Sequence, residues 1–342
     1  MKGVIFILIL FPVVLFAQSP AGYYDSVYNK FGDDLYQSLY DLIKNHNQQD
    51  YDDAWSHFKT IDATVSGKVW DIYSDNPGGT SSYTYSFTVD KCGNYNSEGD
   101  CYNREHSFPK SWFDDNYPMY SDLFALYPTD GYVNNKRANY SFGEVSSSDW
   151  TSSNGSKVGN CSFPGYSDKV FEPIDEYKGD LARTYFYMIT RYKNSVSGWN
   201  SDMLSGSSFS SWALDMLLEW HYDDTVSQKE TDRNDAIYAI QNNRNPFIDY
   251  PEWIDRIWGI YAGVAEKKES EVKIKYSNGN LEVLSSQPMS NYLIIYNYLG
   301  SRVALIDLVG YQRFYPIQLK PGFYIASYQN NTYSLIVNSR IR

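Results

Sequence analysis

The sequence predicts an α+β protein in which a mainly helical domain is followed by a small antiparallel β-sandwich. Segments with apolar residues at helical spacing occupy most of the chain up to Trp258. Short segments in which apolar and polar residues alternate follow, and turn residues separate them. A charged run at 266–271 lies between the two patterns and marks a change of domain.

Residues 1–17 have the order of a signal peptide. A lysine follows the initiator methionine, an apolar run extends from Val4 to Phe16, and Ala17 precedes Gln18. The apolar run is too short for a convincing membrane-spanning helix, and no later segment approaches that length. We therefore expect a secreted or cell-surface protein without a membrane span.

Residues 18–262 form the predicted main domain, which is long enough to bury a substantial core. Helical patterns predict helices at 23–45, 51–61, 133–139, 180–193, 212–222 and 228–241. Alternation of aromatic or β-branched residues with polar ones predicts a strand at 83–89, and the segment 103–107 predicts another.

The three cysteines fit an exported protein. Cys92 and Cys101 bracket a turn-rich loop, and a disulfide there would stabilise the fold by about 2–3 kcal/mol on the loop-entropy model. It would also restrain the strand that follows. A zinc site is the alternative, but the spacing is wrong and no second pair exists. Cys161 has no assigned partner.

The stretch Asn103-Arg104-Glu105-His106 carries the chemistry of the chain. A neutral imidazole can take a proton from water near pH 7, and a carboxylate can hold a hard divalent cation. An arginine can pair with a phosphate. Such a triplet also occurs by chance, so it proves little alone.

A second segment, 122–140, strengthens the interpretation. It begins apolar, turns at Pro-Thr-Asp-Gly, and then enters a short polar stretch. Asn134 and Arg137 are three residues apart, so they share one face of a helix. On that face, the amide oxygen of Asn134 suits a metal ligand and the guanidinium of Arg137 suits binding of a phosphate.

In this order the motifs resemble the bacterial endonuclease I family, secreted or periplasmic nucleases of the His-Me finger (ββα-metal) class. The resemblance extends from about Tyr23 to about Trp258. It includes the motifs at 69–75, 170–173, 178–188, 218–221 and 241–252. Phe124 and Ala125 depart from the family pattern, which commonly has His or Asn there.

The resemblance implies a role for each site residue. His106 would be the general base, and Glu105 and Asn134 would hold one Mg²⁺, with Mn²⁺ or Ca²⁺ as other candidate ions. Arg137 would contact the scissile phosphate or the product. Arg104 is a further candidate, although a structural ion pair explains it equally well. The substrate would be DNA, with RNA also conceivable, cleaved with low sequence specificity.

Several other polar residues keep simpler interpretations. His46 and His57 lack a partner motif and are expected at the surface, whereas His221 on an apolar helix is expected to be structural. Glu172 could support the active site or begin a helix. Asp122 could support an active-site side chain or cap a turn.

After a linker at 263–271, residues 272–342 form the predicted β-sandwich. We expect strands at 272–276, 292–296, 301–305, 323–328 and 332–337. The pieces 295–300 and 319–325 resemble the C-terminal sorting domain of type IX secretion, which implies secretion machinery as a partner. A generic accessory β-domain is the alternative.

The net charge of −12 is unfavourable for long-range attraction of a nucleic acid. Local cations at Arg104, Lys110, Lys136 and Arg137 could offset it near the motif. A non-catalytic adhesin and a carbohydrate-active protein are alternatives, but the latter needs two catalytic carboxylates, and no such pair is evident. We expect a monomer.

Overall fold

The computed structural model describes residues 19–259, 272–277, 279–285, 289–310, 314–328 and 331–337. The chain divides into two compact units, and the division falls between residues 260 and 261. The predicted signal peptide and linker lie outside the described residues. Within the described ranges, no helix has the length and apolar character needed to cross a membrane.

In the first unit, the described residues form the helices α1 (Gly32–Ile43), α2 (Ala54–Ile61), α3 (Gly131–Arg137), α4 (Lys178–Arg191), α5 (Ser211–Asp223), α6 (Gln228–Gln241), α7 (Pro246–Asp249) and α8 (Glu252–Ile257). The first six correspond to the predicted helices, whereas α7 and α8 were not predicted. Helix α4 is central, because every one of its residues is buried. It packs against α1, α5 and α7.

Two predictions for this unit were wrong in detail. The first helix begins at Gly32 rather than Tyr23, because Asn29 and Gly32 have positive φ angles and break the helical path. Residues 83–89 do not form a strand. Tyr85 is buried there and its hydroxyl binds Asp130. The alternation of aromatic and polar residues therefore reflects burial of single side chains and not hydrogen-bonded strand pairing.

Strand, strand and helix follow one another at the centre of the two predicted motifs. Strands β1 (Tyr102–His106) and β2 (Leu126–Asp130) pair antiparallel, with Glu105 opposite Tyr127. Helix α3 follows β2 without a loop. The Asp130 carboxylate caps the helix by accepting hydrogen bonds from the backbone nitrogens of Tyr132 and Val133. The predicted disulfide joins Cys92 to Cys101, directly before β1.

The sequence did not predict the main sheet of this unit. It is built from β3 (Ser141–Phe142), β4 (Val145–Thr151), β5 (Lys157–Cys161) and β6 (Lys169–Glu172) in the order β3-β6-β5-β4. The β3–β6 pair is parallel and the others are antiparallel. A two-stranded hairpin, β7 (Leu204–Ser205) and β8 (Ser208–Phe209), precedes α5.

The second unit is made of two antiparallel sheets. One has the order β13-β10-β9 and the other β12-β11-β14-β15. Its strands are β9 (Val272–Ser277), β10 (Asn280–Ser285), β11 (Met289–Asn297), β12 (Arg302–Gly310), β13 (Phe314–Pro316), β14 (Gly322–Tyr328) and β15 (Asn331–Val337). Residues of both sheets, such as Leu281 and Leu293, share one hydrophobic core, as a β-sandwich requires. All five predicted strands are present, and β10 and β13 are additional.

Candidate active site

Glu105 lies on β1 with its carboxylate almost fully buried. The hydroxyl of Tyr73 donates to Oε1 at 2.9 Å, and Nη1 of Arg137 is 3.4 Å from the same oxygen. Burial raises the pKa of Glu105 to about 7, although Arg137 and Tyr73 both oppose the rise. Because Tyr73 and Arg137 both approach Oε1, Oε2 is the oxygen that neither of them uses.

His106 follows Glu105 but has different partners, as expected for neighbours on an extended strand. Its Nε2 is 2.9 Å from the backbone carbonyl oxygen of Tyr120. A carbonyl only accepts, so Nε2 carries the proton and Nδ1 presents a lone pair. The rings of Tyr51 and Tyr120 stack against the imidazole, with centroids at 5.3 and 5.1 Å.

The environment of His106 keeps the imidazole neutral. Burial lowers the pKa of His106 to about 4, although the hydrogen bond to the Tyr120 carbonyl acts in the opposite direction. A neutral ring with Nδ1 unprotonated can accept a proton from water at neutral pH. The site therefore holds a base whose tautomer is fixed by its backbone partner.

Helix α3 faces β1 with both of its predicted site residues. The side-chain amide of Asn134 donates to the carbonyl oxygen of Arg104 at 3.5 Å, which directs the amide oxygen away from that contact. Arg137 donates to the carbonyl oxygens of His106 at 3.2 Å and Ser107 at 2.6 Å. The spacing of Asn134 and Arg137 therefore does place them on one helix face.

Arg137 does not lie where the phosphate-contact prediction requires. Its side chain is 1% exposed, and both terminal nitrogens bind protein oxygens. The guanidinium fixes the end of β1 against α3 and neutralises Glu105. This geometry makes Arg137 a positioning residue rather than a group that meets a phosphate from solvent.

Arg104 has the structural role that the sequence left open. It pairs with Asp52 at 2.8 Å and donates to the carbonyl oxygen of Tyr51. Its guanidinium also stacks on the rings of Tyr51 and Trp55, at 3.7 and 4.7 Å from the centroids. Arg104 thereby holds Tyr51, which in turn packs on His106.

The donors at this site fit a hard divalent cation. Glu105 offers a carboxylate oxygen and Asn134 an amide oxygen, and both atoms are ligand types that Mg²⁺ accepts. Of the two His106 nitrogens, Nε2 is committed to the Tyr120 carbonyl and Nδ1 keeps its lone pair. Across the described ranges, no group of three or more His, Cys, Asp or Glu side chains is arranged to hold a metal.

A tyrosine- and aspartate-rich scaffold fixes the ends of the motif. Asp71 accepts from the backbone nitrogen of Asp130 at 2.8 Å, and Asp130 caps α3. Asp122 accepts from the hydroxyls of Tyr187 and Tyr192 and from the backbone nitrogen of Phe124. Asp122 thus caps a local turn, and no contact of it to Glu105 or His106 is found in the described part.

The remaining candidates lie outside the site. Glu172 forms ion pairs with Lys157 on β5 and with Lys178, the first residue of α4. His221 is buried beside Arg183, as the structural interpretation expected. His46 and His57 are not surface residues: both are half-buried, and the Nε2 atom of each is enclosed.

Sequence reasoning missed the residues that orient the site. The hydroxyl of Tyr73 binds Glu105, the backbone carbonyl of Tyr120 binds His106, and the ring of Tyr51 stacks on His106. No spacing rule distinguishes them among 34 tyrosines. Only the inclusion of Tyr73 in the motif at 69–75 could have drawn attention to it.

Comparison with known proteins matches the chain to one nuclease family and to relatives named as nucleases. The family model described as Endonuclease I matches residues 32–252. Extracellular ribonucleases of Bacillus subtilis (strain 168) and Bacillus amyloliquefaciens are 32% and 33% identical over 244 and 247 residues. Each match covers 69% of this chain and 78% of the relative. A periplasmic deoxyribonuclease of Aeromonas hydrophila is 29% identical over 133 residues, 38% of this chain and 48% of the relative.

The family match spans β1, β2 and α3 together with the helices that support them. Since it covers more than half of the chain, the protein belongs to the Endonuclease I family.

Proposed function

We propose that the protein is a secreted, metal-dependent endonuclease that hydrolyses phosphodiester bonds with low sequence specificity. The observation that carries the proposal is the state of His106. Its Nε2 proton is committed to the Tyr120 carbonyl, so Nδ1 keeps its lone pair, and the preceding residue on β1 is the buried Glu105. A neutral histidine in this tautomer is suited to activating water.

In the proposed mechanism, Nδ1 of His106 takes the proton of the attacking water. Glu105 and Asn134 would hold the metal ion, which would supply charge stabilisation at the phosphate and at the leaving oxygen. Tyr73 and Arg137 keep the Glu105 carboxylate in one orientation. The Tyr51 and Tyr120 rings keep the imidazole plane fixed.

Both DNA and RNA are proposed substrates. Relatives named extracellular ribonuclease and relatives named deoxyribonuclease both match the chain. Low-specificity cleavage requires contacts to the sugar-phosphate backbone, which the two polymers share. We propose Mg²⁺ as the ion, with Mn²⁺ or Ca²⁺ as substitutes, and a monomeric enzyme.

Export is part of the proposal. Residues 1–17 would direct the chain across the inner membrane, and the β-sandwich at 272–342 would engage secretion machinery of the type IX kind. Relatives named extracellular and periplasmic agree with an exported location. Attachment to the cell surface and release into the medium are both compatible with this arrangement.

The test uses the mature protein with plasmid DNA and with structured RNA. We expect cleavage with Mg²⁺, none with EDTA, and none with His106→Ala. His57→Ala is the matched control, because His57 is a half-buried histidine on α2. Folded wild-type protein that cleaves neither polymer at low salt would refute the proposal, as would cleavage that survives His106→Ala.

A further inference from the structure

The Endonuclease I motif offers two arginines for phosphate contact, and the structure commits both to other partners. Arg137 is enclosed against Glu105 and backbone carbonyls. Arg104 pairs with Asp52 and stacks on Tyr51 and Trp55, and its side chain is only 14% exposed. A polyanion that approaches His106 must therefore meet a different cation.

Lys110 is four residues beyond His106, at the start of the short 3-10 helix Lys110–Phe113. Its Nζ lies 5.4 Å from the centroid of the Tyr120 ring, and that ring stacks on the imidazole. The same residue, Tyr120, supplies the carbonyl that orients His106. Only one residue, Tyr120, therefore separates Lys110 from the proposed base His106.

The environment of Lys110 leaves its charge accessible. The Lys110 side chain is 45% exposed, and its ammonium pairs at 2.9 Å with Asp115, whose side chain is 52% exposed. An ion pair at the surface is weak because water screens it, so a phosphate can compete with the carboxylate for the ammonium.

Lys136, the other cation of the motif, is directed elsewhere. Its Nζ lies over the rings of Tyr132 and Trp150, at 5.1 and 6.0 Å from their centroids. Neither ring contacts His106 or Glu105 in the described part of the chain. Lys110 is therefore the cation best placed to bind the nucleic acid at the reacting bond.

We infer that Lys110 is a substrate-binding residue that contacts a backbone phosphate next to the scissile bond, and that Asp115 competes for it. This inference rests on the proposed function, since it assumes a nucleic acid at His106. It assigns phosphate binding to a residue of the turn after β1, in place of Arg137 on α3. A flexible ammonium on a surface turn also suits binding without sequence preference.

The test separates binding from cleavage. The affinity of the mature protein for a fluorescein-labelled single-stranded oligonucleotide is measured by anisotropy in EDTA, at several salt concentrations. Lys110→Ala should weaken binding about tenfold, the order expected for a charge-assisted contact. The slope of log K against log salt should fall by about 0.7, the value for one phosphate of a single strand.

Matched controls come from Lys44, which pairs with Asp41 on α1 at similar exposure. Lys44→Ala changes the net charge equally and should leave affinity and slope within twofold of wild type. Asp115→Ala should strengthen binding, whereas Asp41→Ala should not.

In Mg²⁺, Lys110→Ala should raise KM with kcat nearly unchanged, because the contact is made in the ground state and the transition state alike.

The outcomes distinguish the two proposals. Equal affinities for Lys110→Ala and Lys44→Ala overturn the inference, even if the wild type cleaves nucleic acid normally. A fall in kcat with unchanged KM also overturns it, since Lys110 would then act through His106. Lys110-dependent binding without metal-dependent cleavage would reject the proposed function and leave the binding assignment in place.

Discussion

Tyr73 shows how one hydroxyl can set the properties of the Glu105 carboxylate. Replacing Tyr73 by Phe removes the donor to Oε1 and leaves the ring in place. Ionised Glu105 is then less stabilised and less firmly oriented, so we expect metal affinity to fall about 10- to 100-fold. The loss is measured directly as Mn²⁺ binding by electron paramagnetic resonance.

Tyr177→Phe is the matched control for this experiment. Tyr177 is also buried, but its hydroxyl binds Asp75 and not Glu105. It should leave Mn²⁺ binding unchanged even if it lowers stability. Equal affinities for Tyr73→Phe and wild type would show that Arg137 alone orients the carboxylate.

His221 gives the fold a dependence on acid. Burial lowers its folded-state pKa to about 4, from 6.5 in the unfolded chain. Its contribution to stability is therefore complete above pH 6.5 and is lost as the pH falls through 4. Relative to His221→Gln, the wild type should lose up to about 3 kcal/mol between pH 7 and pH 4.

Urea unfolding of both proteins at several pH values measures this difference. Other titrating groups cancel, since they are common to the two proteins. A free-energy difference that is independent of pH would mean that His221 titrates alike in the folded and unfolded chains.

At the scale of elements, α3 depends on the disulfide loop that packs against its first residue. A Cβ added to Gly131 would lie 2.4 Å from Sγ of Cys92 and 3.0 Å from the ring of Tyr95. The sulfur is held in the disulfide and cannot move aside easily. The absence of a side chain at Gly131 therefore lets the loop, β2 and α3 approach closely.

Gly131→Ala should destabilise the protein by about 1–3 kcal/mol, as overpacking does. It should also lower kcat/KM, because α3 carries Asn134. Gly78→Ala is the control, since nothing lies within 4 Å of the added atom. The two measurements are urea unfolding and plasmid cleavage, and a Gly131→Ala protein that resembles Gly78→Ala in both would contradict the steric argument.

The elements differ in how well the sequence predicts them. Helix α6 has the bounds that its pattern predicts, 228–241, because Ser227 and Glu230 form a capping box that marks its start. The four-stranded sheet at 141–172 was missed because its strands are short and β4 is mostly exposed and rich in serine. Local pattern cannot reveal strands whose order is set by distant partners.

The same limit applies to the candidate site. Glu105, His106, Asn134 and Arg137 were predicted from chemistry and spacing, and the structure brings them together. The burial of Arg137 could not be predicted, since it depends on the carbonyl of His106 on β1 and the hydroxyl of Tyr185 on α4 meeting the same guanidinium. Chemistry identifies a residue as a candidate, whereas only packing decides which groups it meets.

At the scale of the whole molecule, each unit has its own hydrophobic core. The core of the first unit is rich in aromatic residues, and that of the second is formed by the facing sheets. Every predicted site residue belongs to the first unit. The nuclease chemistry should therefore not need the β-sandwich.

We expect residues 18–260 alone to cleave plasmid with a kcat/KM within about twofold of the mature full-length chain, because removing an independently folding domain leaves the other intact. Calorimetry should show that the transition of the first unit stays at the same temperature, and that a second transition, present in the full chain, disappears. In the native host, the truncated protein should remain inside the cell if the β-sandwich is a sorting domain. An inactive or unfolded truncated protein would instead mean that the second unit stabilises the first, and the separation of nuclease and export roles would have to be abandoned.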